Sequence, residues 1–378
     1  MRYPPVGPSV SQSEAHENET EYTIRAFRAA DVDDFLGLFS ETFGSERSRR
    51  WFAWKYEDNP YVDHVPIFVA EADGTLVGAR PFFALDMSVG GERRLALQPA
   101  DTMVHPDHRR RGLFTRMTET AIDEYGDAEP SFFFNFPNEN SSSGYLNLGW
   151  RKVTEQPTYY RIQNPSELAR HRDSDALASV GGAVLDPLVS GYNRLSNAHA
   201  PSEGGVTVTR HESVPAATMA AIASGTPERG VHVRRDERFY DWRFGNPNWE
   251  YVAYVAREAG EPVAGIVVGT SVGSGPTTTK VTDVVPVPRE SASDGLEALL
   301  HRAVGDHADS DLLAAPAALP ASSARRAGFR ADDRPPISYV SSRTTHVVRP
   351  FDGEWVQNGV DIADEENWRF TFSEQDTS

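Results

Sequence analysis

Apolar and polar positions alternate from Thr23 to Phe27, which predicts a strand. A helical period takes over in "DVDDFLGLFSETFG" from Asp31, with acidic residues where a helix N-terminus favours them. A second helical stretch, "SERSRRWFAWKYEDNP", begins at Ser45. "PIFVAEADGTLVGARPFFALDM" has β-rich arms on either side of Asp73–Gly74 and predicts a hairpin. Gly90–Gly91 turns the chain back into "ERRLALQPADTMV". Leu113, Met117, Ala121, Ile122 and Tyr125 recur at helical spacing, so 113–125 reads as a helix. "SFFFNF" is a short buried strand, "NENSSSGYLNLGW" a helix closing at Gly149, and "PTYYRI" the last strand of the run.

The pattern then recurs. "WKYEDNP" at Trp54 is similar to "WRFGNP" at Trp242, and "VAEADGTLVGA" from Val69 to "VAREAGEPVAG" from Val255. Each is followed by strand, helix, strand and a helix that closes in Gly-aromatic, at Gly149–Trp150 and Gly328–Phe329. Order and spacing agree along both halves, which points to two diverged copies of one module. The expected fold class is α/β, each module a twisted mixed β-sheet flanked by helices. The expected organisation is a disordered leader (1–20), a first module (21–163), a helical linker rich in Ala, Ser and Asp (164–203), a second module (204–345) and an acidic C-terminal tail (346–378).

Composition narrows the function classes. Asp and Glu number 55 against 37 Lys and Arg, a formal net charge of -18, and lysine occurs only at Lys55, Lys152 and Lys280. Salt screens the self-repulsion of such a charge, so the chain reads as halophilic and cytoplasmic. Nucleic-acid partners need a basic face, and none is expected. No apolar run reaches the length of a bilayer span, and the first twenty residues lack the basic and apolar regions of a signal peptide, so no membrane partner is expected. Cysteine is absent, which removes disulfides and thiol nucleophiles. No paired-histidine motif, Walker loop or nucleotide fingerprint stands out, and no metal is expected. "GTSVG" at Gly269 spells a nucleophile elbow, but it ends a hairpin strand with no helix after it.

Against this acidic background, "VHPDHRRRGLF" sets Arg109, Arg110 and Arg111 side by side between a strand and a helix. The first N–H groups of a helix have no intrahelical partner, and the helix dipole favours an anion there. Gly112 lets a backbone approach a ligand closely, and arginines add charge-assisted hydrogen bonds. Taken alone, the stretch fits a phosphate site and a solvated basic turn equally well. Its spacing resembles the acyl-CoA-binding motif of the GNAT acetyltransferase superfamily, Arg/Gln-x-x-Gly-x-Gly/Ala, which opens the helix after the fourth strand. Arg109 and Gly112 match it, and Phe114 stands where the motif has glycine or alanine. Many GNAT enzymes also carry an asparagine after the fifth strand, a small residue three positions on, a tyrosine seven on and Gly-aromatic four beyond. Here these are Asn138, Ser141, Tyr145 and Gly149–Trp150. The resemblance covers Thr23 to Ile162, and more weakly Gly204 to Arg343.

The resemblance implies an N-acetyltransferase that passes the acyl group of acetyl-CoA directly to a primary amine, with a small-molecule amine as acceptor. Met103, Val104, Arg109, Arg110, Arg111, Gly112, Leu113, Phe114, Thr115, Asn138 and Ser141 would hold the acyl-CoA, the N–H near Val104 polarising its carbonyl. Tyr145 would serve the leaving thiolate. Asp101, three residues before Val104, would be the base, with His105 a weaker candidate. Equally, Asp101 pairs Arg93 or Arg94 at the surface. Trp51, Phe52, Trp54, Tyr56 and Tyr61 lie where this superfamily often walls the acceptor side. Their spacing puts Trp51 and Trp54 in the core and leaves Tyr56 and Tyr61 open. In the second module "DVVPVPRESASDGLEALL" has no Arg-x-x-Gly loop, Ala324 stands in the place of the tyrosine and Ala317 in that of the asparagine. The plan is similar to tandem-GNAT proteins, with a degenerate second copy that shapes the acceptor cleft. Two other readings compete. A FemAB-like aminoacyl transferase would lack the phosphate loop and show a basic RNA face. A non-catalytic CoA-binding regulatory protein would keep the loop without needing Tyr145. The acceptor's identity and the oligomeric state stay open at this point.

Overall fold

The fold comes from a computed structural model that describes residues 21–126, 130–170, 191, 205–225, 229–273, 275–288, 293–333 and 343–376. The expected leader and most of the expected linker lie outside them. In chain order the main elements are β1 (Tyr22–Ala26), α1 (Val32–Phe43), α2 (Arg49–Phe52), β2 (Ile67–Ala72), β3 (Thr75–Val89), β4 (Glu92–Pro99), β5 (Met103–Val104), α3 (Leu113–Tyr125), β6 (Pro130–Asn135), α4 (Glu139–Asn147), β7 (Arg151–Gln156), β8 (Tyr159–Ile162) and α5 (Pro165–Arg170). There follow β9 (Val206–His211), α6 (Ala216–Ala223), β10 (Val231–Val233), α7 (Glu237–Arg243), β11 (Trp249–Glu258), β12 (Glu261–Ser271), β13 (Thr278–Val285), α8 (Asp294–Asp306), β14 (Leu312–Ala315), α9 (Ala321–Arg326), β15 (Arg330–Ala331) and β16 (Thr344–Pro350). The fold is mixed α/β, as the periodicity predicts. The helix expected from Ser45 starts later, because Ser48 caps it by accepting the Trp51 N–H at 3.1 Å, and it continues as a π-helical turn over Ala53–Glu57.

The first sheet runs β1-β2-β3-β4-β6-β16-β7, with β5 and β10 also pairing β3. Only its β4–β6 pair is parallel, bridged by α3. The second sheet runs β15-β8-β14-β13-β12-β11-β9, again with one parallel pair, β13–β14. The β2–β3 and β11–β12 hairpins turn at Asp73–Gly74 and Ala259–Gly260, all four residues at positive φ. That geometry suits the right-handed twist of the paired strands.

The sheets exchange strands. β8 leaves the first run, and its Leu312↔Ile162 and Arg330↔Tyr160 pairings place it between β14 and β15 of the second sheet. β16 returns to the first sheet, between β6 and β7. The expected boundary at 163 therefore does not separate the sheets: the strand read as the last of the first module completes the second. Nor is 346–378 a tail. Val347, Val348, Trp368, Phe370, Phe372 and Glu374 are buried. Arg235 joins Glu374 at 2.7 Å and Asp283 at 3.0 Å, and Arg243 donates to the Ser373 and Gln375 carbonyls at 2.7 Å each. Of the acids that look like a solvated tail, Glu374 is bound to Arg235 of the second run and Asp376 to Lys55 of the first.

Two of the similar segments noted in sequence, at Trp54 and Trp242, meet in space. Trp54 and Trp242 stack with ring centroids 6.3 Å apart. The Trp54 indole donates to the Trp242 carbonyl at 2.9 Å, and the Trp242 indole donates to the Trp54 carbonyl at 2.8 Å. One hydrophobic core runs across this contact, joining Phe82, Phe83 and Phe133 to Phe239, Val255 and Val285.

Candidate active site

The site is built where the first sheet forks. The β4–β6 ladder ends at Leu97↔Phe133. β4 stops at Pro99, and the chain breaks register through Asp101, whose φ of 41° is left-handed. It rejoins β3 as β5, through Gly78↔Val104 and Ala79↔Met103. The His105 N–H donates to Val77 O at 2.8 Å. Antiparallel pairs alternate between bonded and non-bonded, so Val104 turns its N–H and C=O away from β3, into the fork. Arg109 Nε takes that carbonyl at 3.1 Å.

After a short turn over Pro106–His108, pinned by a 2.9 Å bond between Tyr22 and His108, the chain reaches the arginines. Arg110 and Gly112 take φ of 62° and 74°, and α3 starts directly behind them. No side chain caps this helix, and no acid lies in its first turn. Its first backbone bond runs from Arg116 N–H to Gly112 O at 3.0 Å. The N–H groups of Leu113, Phe114 and Thr115 therefore precede the intrahelical ladder. An open cleft of about 370 Å³ is lined by Thr102, Met103, Val104, His108, Arg109, Arg110, Leu113 and Phe114. Six of the residues expected at an acyl-CoA site thus share one cleft; Gly112 adjoins it, and Arg111 is exposed without lining it. A Cβ built on Gly112 would meet nothing within 4 Å, so the loop leaves room in front of the amides. Free amides, adjacent guanidiniums and an unpaired strand edge fit a phosphate carried on an extended amide chain.

Asn138 and Ser141 act on each other. Asn138 Oδ1 accepts the Ser141 N–H and the Ser141 hydroxyl, both at 3.1 Å, and so caps α4. That cap sets the helix that carries Tyr145. Tyr145 is buried, edge-on to Phe114 (5.7 Å) and Trp150 (5.4 Å). Its hydroxyl accepts from Arg80 Nη1 at 3.0 Å, and the same nitrogen donates to Thr102 Oγ1 at 2.6 Å. The bulk at Phe114 is accommodated across the groove by Gly144, where a Cβ would sit 3.1 Å from the Phe114 ring.

Asp101 does not pair Arg93 or Arg94. Arg93 is taken by Asp86, and Arg94 by Glu92. Instead Asp101 Oδ2 receives Lys55 Nζ and the Tyr56 hydroxyl, each at 2.6 Å, and Lys55 also reaches Asp376 at 3.1 Å. Burial pulls the Lys55 ammonium down, but Asp101 and Asp376 together outweigh it, and its proton is held more tightly than on an ordinary lysine. Burial first, and Asp101 second, push the Tyr56 phenol well up. Burial also raises the Asp376 carboxyl against the pull of Lys55. Trp51 and Trp54 are core, as expected; Tyr56 belongs to this ionic cluster and Tyr61 is buried. His105 faces Glu41 at 3.5 Å, away from the cluster.

Arg80, Thr102, Lys55 and Asp376 were not evident as a site in sequence. Arg80 carried a signal: it is the single charge in the apolar run "LVGARPFFAL". Asp376 carried none, since only tertiary folding brings it to Lys55.

The helix that connects the parallel strands β13 and β14 of the second sheet starts differently. Ser293 Oγ caps α8 by accepting the Leu296 N–H at 3.2 Å, and Asp294 and Glu297 lie in its first turn. No group of acids and histidines that could hold a metal occurs among the described residues. Nor is any described helix long and apolar enough to cross a membrane.

Residues 23–153 match the family of acetyltransferase (GNAT) domains. No curated protein matches the chain in sequence. Among solved structures, the chain is similar to a GCN5-related N-acetyltransferase from Anabaena variabilis, with TM-score 0.56 and 10% identity over 88% of this chain and 73% of that one. It is similar to a GCN5-related N-acetyltransferase from Kribbella flavida, with TM-score 0.55 and 14% identity over 88% and 72%. A conserved protein of unknown function from Enterococcus faecalis gives 0.58 and 11% over 88% and 73%. At these identities the structural likeness is one of fold.

Proposed function

Starting from the GNAT acetyltransferase domain that residues 23–153 form, we propose that the chain is an acyl-CoA-dependent N-acetyltransferase acting on a small primary amine. In this reading the first module carries the chemistry, and the second is a degenerate copy that walls the acceptor side. The carrying observation is the uncapped start of α3, opening beside the forked strand edge at Val104. Arg109, Arg110 and the amides of Leu113, Phe114 and Thr115 would hold the phosphates, and the Val104 N–H would polarise the thioester carbonyl. When bound, acetyl-CoA supplies the activated acyl group. The amine nitrogen attacks the carbonyl carbon, the C–N bond forms, the C–S bond breaks and the electron pair leaves on sulfur. Tyr145 gives that sulfur a proton. Both bonds to Asp101 fall on Oδ2, so Oδ1 remains to draw in the amine and take up its proton.

The first test is calorimetric titration with acetyl-CoA in high salt, paired with thermal unfolding. One acetyl-CoA per chain is expected, stabilising the fold by roughly 2.7 kcal/mol at a hundredfold excess over the dissociation constant. Neither heat nor shift with any acyl-CoA overturns the reading, and two per chain overturns the degenerate second module. A panel of amines then separates the enzyme from a CoA-binding regulator, which would bind and never turn over.

A further inference from the structure

Arg80 is a buried charge beside the proposed site that the acyl transfer leaves unexplained. It is fully buried on β3, and a guanidinium stays protonated even there. Two other buried cations in this fold have anions: Lys55 has Asp101 and Asp376, and Arg235 has Asp283 and Glu374. Among the described residues, Arg80 has only the hydroxyls of Thr102 and Tyr145, both on Nη1. Its Nε and Nη2 are buried with no hydrogen-bond partner among the described residues. Three rings surround it instead, with the guanidinium carbon 4.7 Å from the centre of Phe114, 5.1 Å from Tyr145 and 5.6 Å from Phe82. Ring faces soften a cation's burial but do not cancel its field, as a carboxylate would.

The direction of one bond gives this charge a use. Arg80 has only donors, so the Tyr145 oxygen must accept from it. The hydroxyl proton must then point elsewhere, and no described group accepts it. Phe114, which touches both Arg80 and Tyr145, also lines the acyl-CoA cleft.

We propose that Arg80 is a positioning residue for acyl transfer: it turns the Tyr145 hydroxyl proton toward the departing thiolate of CoA and places an uncancelled positive charge behind it. The inference rests on the acyltransferase reading of the same cleft. As the C–S bond breaks, the electron pair on sulfur takes the Tyr145 proton, and the negative charge passing to the phenol oxygen is met by the Arg80 N–H already bonded to it. The covalent balance of the transfer is unchanged. Arg80 itself gives up no proton and stays charged throughout.

The test compares Arg80→Met and Arg80→Lys with the full-length wild type. For Arg80→Met we expect an unfolding temperature equal to or above wild type, because an uncompensated buried charge is removed. Acetyl-CoA affinity and its KM stay near wild type, while kcat falls about 10- to 100-fold, the scale of a lost charge-assisted hydrogen bond. Arg80→Lys keeps the charge without the fork and recovers part of kcat. Independently of turnover, the anion shared between the CoA sulfur and the Tyr145 oxygen is more populated in wild type than in Arg80→Met at the same pH, read as the summed ultraviolet thiolate and phenolate absorbance of the CoA complex. Unchanged kcat and unchanged summed thiolate and phenolate absorbance in Arg80→Met overturn the proposal. So does a fall in unfolding temperature that accounts for the whole loss of turnover, since Arg80 would then be structural. If wild type binds no acyl-CoA at all, the acyltransferase reading itself fails and takes this proposal with it, a result distinct from either of the others.

Discussion

α3 and α8 hold corresponding places in the two sheets, each lying in the connection between the parallel strands of its sheet, β4–β6 and β13–β14. What differs is how each helix start is satisfied. At α8 the start is met internally. Ser293 accepts an amide, Asp294 and Glu297 face the dipole, and Glu297 is itself held by Ser323 at 3.2 Å and by Arg326. At α3 the cap is Gly112, the first turn holds no acid and three arginines precede it. The helix ends behave oppositely. Trp150 N–H returns to Tyr145 O at 3.2 Å and Phe329 N–H to Ala324 O at 2.9 Å, each across a glycine with φ near 90°. The frame at the helix end is kept in both modules, and the side chain that could do chemistry is present in one. A helix dipole answered within the chain, as at α8, leaves nothing for a ligand, whereas the start of α3 leaves its dipole open to one.

The strongest way to break this contrast is to answer the dipole at α3. Gly112→Asp puts a carboxylate in front of the free amides, as Asp294 does at α8. Asp tolerates the left-handed φ of 74° better than most residues, and the new Cβ has open space, so the fold should persist. Acetyl-CoA binding is expected to disappear in titration. Gly112→Asn, with the same backbone demand and no charge, should keep most of it. If both variants bind as wild type does, the loop is only a basic turn.

The next effect in size concerns the residue that the second module replaces with alanine. Tyr145→Phe should lower kcat with a competent amine by about 10²-fold, with acetyl-CoA affinity unchanged, because the hydroxyl acts in the transition state. The structure adds a cost that the sequence does not show. The lost oxygen is an acceptor for buried Arg80, so the variant should also be less stable by about 1–3 kcal/mol, read from denaturant unfolding. Full turnover would make Tyr145 a packing residue, and the two modules would then differ only in the loop.

Local pattern carried a good part of this site. α3 was legible to the residue, because its apolar positions follow one face and Gly112 stops the preceding turn. Both two-residue hairpins were legible in Asp-Gly and its copy Ala-Gly. The pairing of Asp101 was not, since Lys55 and Asp376 come to it from 46 positions before and 275 after, as their separations of 46 and 321 from Lys55 imply. The strand exchange was hidden for the same reason. β7, "RKVTEQ", buries only Thr154 and shows no apolar alternation, β8 reads as a strand without saying whose neighbour it is, and β16 runs across the expected start of the tail. Partners chosen across more than a hundred residues leave no local period. Arg80 lies between the two cases: its oddity is visible in an apolar run, but its missing counter-ion appears only when the fold surrounds it.

The smallest effect sharpens the comparison from the other side. If the α8 start is satisfied by its own serine, removing that serine should cost stability and nothing else. Ser293→Ala takes away the acceptor for the Leu296 N–H, and the loss of such a cap typically costs about 1 kcal/mol. That should appear as a small drop in unfolding midpoint in urea, with acetyl-CoA affinity, stoichiometry and kcat unmoved. Asp294 and Glu297 remain in the first turn of α8, so the freed amide still faces negative charge and does not become a second phosphate site. A second bound acetyl-CoA in Ser293→Ala would mean that one hydroxyl was all that separated the two modules. An unchanged stoichiometry places the difference in the acids, and in the arginines and glycine that only the first module has.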